Sequence, residues 1–131
     1  MGNLNILLVD DSPQFLKAAR QLIAALPGVD RIDCANSAVD ALVRTGKSRP
    51  DLVLTDLTMP HMDGFELIRS LRARSAPPRV VVMTLHASPQ HRAAALRMGA
   101  EDCVAKHELG ALLPEMIASL AGSLAERAAR T

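Results

Sequence analysis

"LVLTDLTMPHMDG", residues 52–64, runs through apolar residues and a threonine, ends on a carboxylate at Asp56, and then turns through Pro60 to Gly64. An acid at the carboxyl end of an apolar strand stands where open α/β sheets form their crevices. Four more apolar runs flank this one: "NILLV" (5–9), "RIDCA" (31–35), "VVVMT" (80–84) and "CVA" (103–105). The runs at 5–9, 52–55 and 80–84 are nearly continuous, which suits central strands of a parallel sheet covered on both faces, whereas "RIDCA" alternates as an edge strand does.

The segments between the runs read as helices. Ser12-Pro13 supplies an N-cap and a first-turn proline before Phe15, Leu16, Ala19, Leu22, Ile23 and Leu26. Ser37 predicts the start of a short helix stopping at Gly46, Gly64 precedes "FELIRSLRA", and Ser88-Pro89 repeats the cap-plus-proline signal ahead of a stop at Gly99. The last helix carries Leu109, Leu112, Leu113, Met116, Ile117, Leu120 and Leu124 at three- and four-residue spacing. Strand and helix alternating five times predict an α/β fold with a doubly wound parallel sheet and right-handed crossovers. The chain is expected to be one domain over residues 1–131, with a core from about 4 to 125 and residues 122–131 as helix end or linker stub.

Composition narrows the function. The chain has 131 residues, 49% of them hydrophobic and 22% charged, so it can bury a core and is not a disordered chain. Fifteen Lys and Arg against fourteen Asp and Glu give a net charge of +1, and only Phe15 and Phe65 are aromatic. That balance, without a stacking platform, argues against a nucleic-acid or anionic-membrane surface. No secretory signal is legible and no apolar run approaches the roughly 18 residues a bilayer span needs, so the expected location is cytoplasmic. Cys34 and Cys103, without a C-x-x-C, are expected to be inert buried thiols.

Chemistry collects at the strands' carboxyl ends. Asp10-Asp11 follow the first strand, Asp56 ends the third, Thr84 ends the fourth, and Lys106 follows the fifth. Carboxylates held together repel one another unless a cation neutralises them, and hard oxygen ligands of this kind suit Mg²⁺. Lys106 adds a fixed positive charge that could pair with Asp56 at rest. A G-x-x-x-x-G-K-[ST] nucleotide cradle is absent.

On these residues, across about 4–125, the sequence resembles a receiver domain of a two-component response regulator. The resemblance rests on Asp10-Asp11, the "DLTMPHMDG" block with Asp56, Pro60 and Gly64, Thr84 in "VVMT", and Lys106 after "CVA". It implies a flavodoxin-like sheet of order 2-1-3-4-5 and an acyl phosphate formed on Asp56 from a phosphohistidine of a sensor histidine kinase or phosphotransfer protein. It implies Mg²⁺ held by Asp11, Asp56 and the Thr58 backbone carbonyl, with Asp10 acting through water. Lys106 would neutralise phosphoryl charge, Thr84 would hydrogen-bond a phosphoryl oxygen and report the state, and His86 and Thr58 would rim the pocket. The fourth helix, fifth strand and fifth helix would carry the signal to a downstream effector or a second copy. Two departures stand out: Cys103 replaces the family's usual aromatic switch residue, and His107 replaces the proline that often follows the lysine. The latter, with "LRMGAEDCVAKHEL", resembles the NarL-type regulators, which normally continue into a DNA-binding domain. Two other readings compete: a pseudo-receiver used for protein docking without phosphorylation, and a flavodoxin-like cofactor binder. The second lacks a hydroxyl-rich first loop and an aromatic to sandwich a flavin.

Overall fold

The computed structural model describes residues 3–57, 59, 64–85 and 87–130, without the side chains of 124, 125 and 127–130. Five strands alternate with five helices: β1 (Leu4–Val9), α1 (Pro13–Ala24), β2 (Val29–Ala35), α2 (Ala38–Ser48), β3 (Leu52–Asp56), α3 (Gly64–Arg72), β4 (Arg79–Thr84), α4 (Pro89–Met98), β5 (Asp102–Ala105) and α5 (Leu109–Arg130). The strands form one parallel sheet in the order β2-β1-β3-β4-β5, as the sequence pattern and the resemblance implied.

Alternation along each strand sends side chains to two separate cores. Leu7, Val9, Val53, Val80, Val82 and Cys103 meet one face, where Ala41 of α2, Leu67 and Leu71 of α3 and Ala95 of α4 cover them. Leu4, Ile6, Leu8, Leu54, Val81, Met83 and Val104 meet the other, under Ala19 and Ile23 of α1 and Leu113 and Ile117 of α5. The central strands are thus apolar on both sides, which is why their sequences run without alternation.

The helix caps follow the hydroxyls. Ser12, Ser37 and Ser88 each accept a backbone N–H three residues on, from Phe15, Asp40 and His91. Gly99 closes α4 at φ 108. The end of α2 differs from expectation: Gly46 lies inside the helix and Arg49 takes the left-handed cap at φ 49. Pro50 explains this, because the residue before a proline is pushed out of the right-handed helical region. Strand β2 begins at Val29, two residues earlier than its apolar run, and residues 122–130 continue α5 rather than leaving it.

Cys103 is buried, but Cys34 is only half-buried, with an Arg20 guanidinium nitrogen 3.8 Å from its sulfur. The expectation of two buried thiols fails at Cys34 because it sits on the edge strand. Strands β2 and β5 are opposite edges, about four spacings of ~4.8 Å apart, whereas a disulfide needs Cα atoms within about 7 Å. Non-reducing peptide mapping of the native protein is therefore expected to show no Cys34–Cys103 bond; finding one would refute the strand order.

Candidate functional site: an acidic pocket at the carboxyl edge of the sheet

The pocket is assembled by loops that leave the strands at one edge. The Asp10 amide still donates to Ala35 O at 3.1 Å, so the residue is held in line with β1 after the strand has ended. Its side chain is fully buried. One carboxylate oxygen accepts the Ser12 N–H at 2.9 Å and the other accepts from Lys106 Nζ at 2.6 Å. Asp56 is the last residue of β3, and its Oδ1 accepts the N–H of Leu57 at 2.8 Å. Lys106 opens a 3₁₀ turn directly after β5, which projects its ammonium back over the sheet end.

The ammonium pairs with Asp56 at 3.6 Å from Oδ2, as the sequence suggested, and makes a shorter contact with Asp10 that it did not. Charge explains the preference. Asp10 has no access to water, and an ionised carboxylate so placed needs a cation and hydrogen bonds on both oxygens. The sequence also gave no sign that Phe15 would enter the pocket, yet its ring lies 4.4 Å from Lys106 Nζ.

Asp10, Asp11 and Asp56 each bring one carboxylate oxygen into a group spanning no more than 4.8 Å. Three carboxylates beside one ammonium leave two formal negative charges together, and oxygen-only donors of this kind fit a hard divalent cation such as Mg²⁺. Asp11 is exposed and faces no competing cation in the ion pairs among the described residues, so its oxygens are available to such an ion. Asp10 contributes to that group although its two oxygens also accept from Ser12 and Lys106.

Gly64 shows why the turn after Asp56 is so tightly punctuated. Its N–H donates to Leu57 O at 2.6 Å. A Cβ there would lie 2.7 Å from Asp56 O and 2.8 Å from both Leu57 Cα and Leu57 O. The start of α3 therefore rests directly on the backbone that holds Asp56. Met59 is buried in the core on the same face as Leu67 and Leu71 of α3. Thr84 ends β4, one residue beyond the Asp56–Met83 register pair, at the rim of the same edge. Thr58 and His86, the other expected rim residues, lie outside the described residues.

A family profile described as the response regulator receiver domain matches residues 6–118. The chain belongs to this family. A protein-glutamate methylesterase/protein-glutamine glutaminase of Myxococcus xanthus is 33% identical over 132 residues, covering 93% of this receiver domain's chain and 38% of its own. The nitrate/nitrite response regulator NarL of Escherichia coli K12 is also 33% identical, over 77% of this chain and 47% of its own. The chain thus spans less than half the length of either relative. Among solved structures, the signal receiver domain of a DNA-binding response regulator from Colwellia psychrerythraea superposes with a TM-score of 0.83 at 28% identity, over 90% of this chain and 98% of that one. Among the described residues of this receiver domain, no helix is long and apolar enough to cross a membrane.

Cys103 of the receiver domain pairs in register with Val82 and is buried in the core under α3 and α4. Burial pushes its thiol pKa above the usual cysteine range; the Asp102 carboxylate adds to the rise and the Arg92 guanidinium opposes it. The unfolded chain then loses this proton first. The thiol's contribution to stability is fully present below the ordinary cysteine pKa and is lost as pH rises through the folded one.

A cleft of about 950 Å³ lies at the opposite edge of the sheet, lined by Arg49, Arg72, Arg74 and Arg79 among others. Its arginines have structural work: Arg74 donates to Leu42 O in the middle of α2, and Arg79 lies 3.6 Å from Glu101.

Proposed function

We propose that this receiver domain takes a phosphoryl group onto Asp56 from the phosphohistidine of a sensor histidine kinase or phosphotransfer protein, dependent on Mg²⁺. The observation that carries this reading is the Lys106 ammonium set between Asp10 and Asp56 inside a three-carboxylate pocket. An Asp56 carboxylate oxygen attacks phosphorus, and a new O–P bond forms as the donor's N–P bond breaks. The bond's electron pair leaves on the imidazole nitrogen, which takes up a proton; the product is an acyl phosphate. Water later cleaves it, returning the carboxylate and inorganic phosphate.

Catalysis here is positioning and charge. The Leu57 N–H fixes one oxygen of Asp56 and so orients the other. Lys106 lies 3.6 Å from Asp56 Oδ2, where its ammonium would meet the phosphoryl oxygens. Mg²⁺, held by Asp11, Asp56 and the Thr58 carbonyl with Asp10 through water, would supply further neutralisation of those oxygens. The domain acts as a signalling module: it turns over its own phosphoryl group and no separate substrate. The docking-only alternative is disfavoured by the complete acid set, which such a role would not require.

Acetyl phosphate with Mg²⁺ is expected to add one phosphoryl group by intact mass, and a chelator to prevent it. A mass unchanged under both conditions would favour docking alone. Asp11→Ala is expected to keep the fold while weakening Mg²⁺ binding by at least about tenfold, the loss that even outer-shell ligand changes bring. Titration at wild-type affinity would remove Asp11 from the ligand set.

Thr84, the last residue of β4, would hydrogen-bond a phosphoryl oxygen, and its movement would shift the segment leading to Ser88 and α4. The signal would then reach an effector or a second copy through α4, β5 and α5. Cys103 has no ring to swing and is already buried, so the loop carries the switch. In a Cys34→Ser background, Cys103 should label slowly at neutral pH, faster as pH rises, and at the same rate before and after phosphorylation. A large change on phosphorylation would show that position 103 moves.

A further inference from the structure

Phe15 and Lys106 belong to opposite ends of the chain, yet they close a ring of contacts around the pocket. Asp10 accepts from Lys106 Nζ and from the Ser12 N–H. Ser12 then caps α1 by accepting the Phe15 N–H at 3.2 Å. Pro13 pre-sets the first turn, which leaves Phe15 as the third residue of the helix. Its half-buried ring packs on the core beneath α1 and meets the Lys106 ammonium at 4.4 Å from the ring centre. The same two-residue step that positions Asp10 therefore also positions the ring.

An ammonium on a four-carbon stem is a mobile point charge, and carboxylates alone hold it from one side. The face of an aromatic ring carries negative quadrupole density and attracts a cation without forming a directed bond. It also excludes water from that side, since the Lys106 side chain is only 14% exposed. A ring here can hold the ammonium while leaving it free to turn from Asp10 toward new oxygens. A third carboxylate would bind it more tightly and block that turn. Leucine would fill the space but supply no such attraction.

We propose that Phe15 is a positioning residue for Lys106: its ring face holds the ammonium beside Asp56 and so sets the rate of phosphoryl transfer. This rests on the phosphoacceptor reading above.

The test combines Phe15→Leu, Phe15→Tyr and a series of mono-, di- and trifluorinated phenylalanines at position 15 of the full chain. Fluorine withdraws electron density from the ring face at nearly constant volume. The initial rate of labelling by acetyl phosphate and Mg²⁺ is expected to fall about fivefold in Phe15→Leu. It should stay near wild type in Phe15→Tyr and fall stepwise along the fluorinated series. A wild-type rate in Phe15→Leu, or equal rates along the series, overturns the proposal; the series decides the matter even if Phe15→Leu fails to fold. An independent arm needs no phosphorylation. Protons on Lys106 Cε should be shifted upfield by the ring in the wild-type NMR spectrum and lose that shift in Phe15→Leu. Absence of the shift in the wild type overturns the proposal. Its presence in a protein that takes no phosphoryl group would overturn the phosphoacceptor reading and leave the placing of Lys106 by Phe15 supported.

Discussion

Asp56→Asn is expected to abolish labelling by acetyl phosphate and, in the same protein, to raise stability without Mg²⁺. The first effect follows from chemistry: the amide oxygen is a poor nucleophile, and no other carboxylate has the position of Asp56. Asp10 is buried with both oxygens engaged, and Asp11 is exposed without a lysine beside it. The second effect follows from charge. Asp56 stands in a group of three carboxylates within 4.8 Å, and Lys106 has its shorter contact with Asp10. Among the described residues, replacing Asp56 removes repulsion from two acids and gives up the longer contact with Lys106, while the amide oxygen can still accept the Leu57 N–H. The gain should be about 1 kcal/mol, the order of one pKa unit of like-charge interaction, or roughly 3–6 °C in Tm. Intact mass and thermal unfolding in a chelator measure the two effects. A persisting adduct sinks the assignment of Asp56, and a lower Tm sinks the charge balance described for the pocket.

Gly64→Ala is expected to cost about 2–3 kcal/mol, at the upper end for overpacking, because every atom the new methyl meets is backbone. A side chain could rotate away, but the Asp56 carbonyl and the Leu57 backbone cannot yield without moving Asp56 itself. Phosphorylation should therefore slow along with the loss of stability. Gly46→Ala is the matched control. It lies in the interior of α2 with only an Arg74 guanidinium nitrogen at 3.8 Å, so it should gain about 0.5–1 kcal/mol in helix propensity. Urea unfolding of both variants gives the comparison. Wild-type stability in Gly64→Ala would mean that the contact between α3 and the Asp56 loop is looser than described.

Much of the fold was legible because its signals are local. The Ser-Pro pairs at 12–13 and 88–89 name helix starts, and the uninterrupted apolar runs name central strands. The end of α2 was misread because Gly46 is a stronger visual stop than Pro50. Thr45 and Ser48 hydroxyls return to the carbonyls of Ala41 and Arg44, which shows a helix running intact past the glycine. At the site, the sequence brought Asp10, Asp11, Asp56 and Lys106 to one edge but could not say which acid takes the lysine. That choice depends on burial, which is a property of the whole assembly. Phe15 was read as one more apolar residue of an amphipathic helix. Only the fold brings the 3₁₀ turn at Lys106 beside the first turn of α1, where Phe15 meets a cation. A signal was available in hindsight: Phe15 is one of just two aromatic residues, and it falls four positions after Asp11.

The placing of β2 and β5 at the borders of the sheet also bears on how the protein keeps company with itself. A border strand offers unpaired amides and carbonyls to any extended chain it meets, and long apolar borders invite fibrous stacking. This sheet guards each border differently. Strand β2 is seven residues long but carries Asp30, Arg31 and Asp33, so an added chain would meet charge along its length. Strand β5 has only four residues, starts on Asp102 and is stopped at once by the 3₁₀ turn at Lys106. The turn that delivers the lysine to the pocket thus also shortens the border. Neither border offers a long apolar template on which copies of the molecule would polymerise.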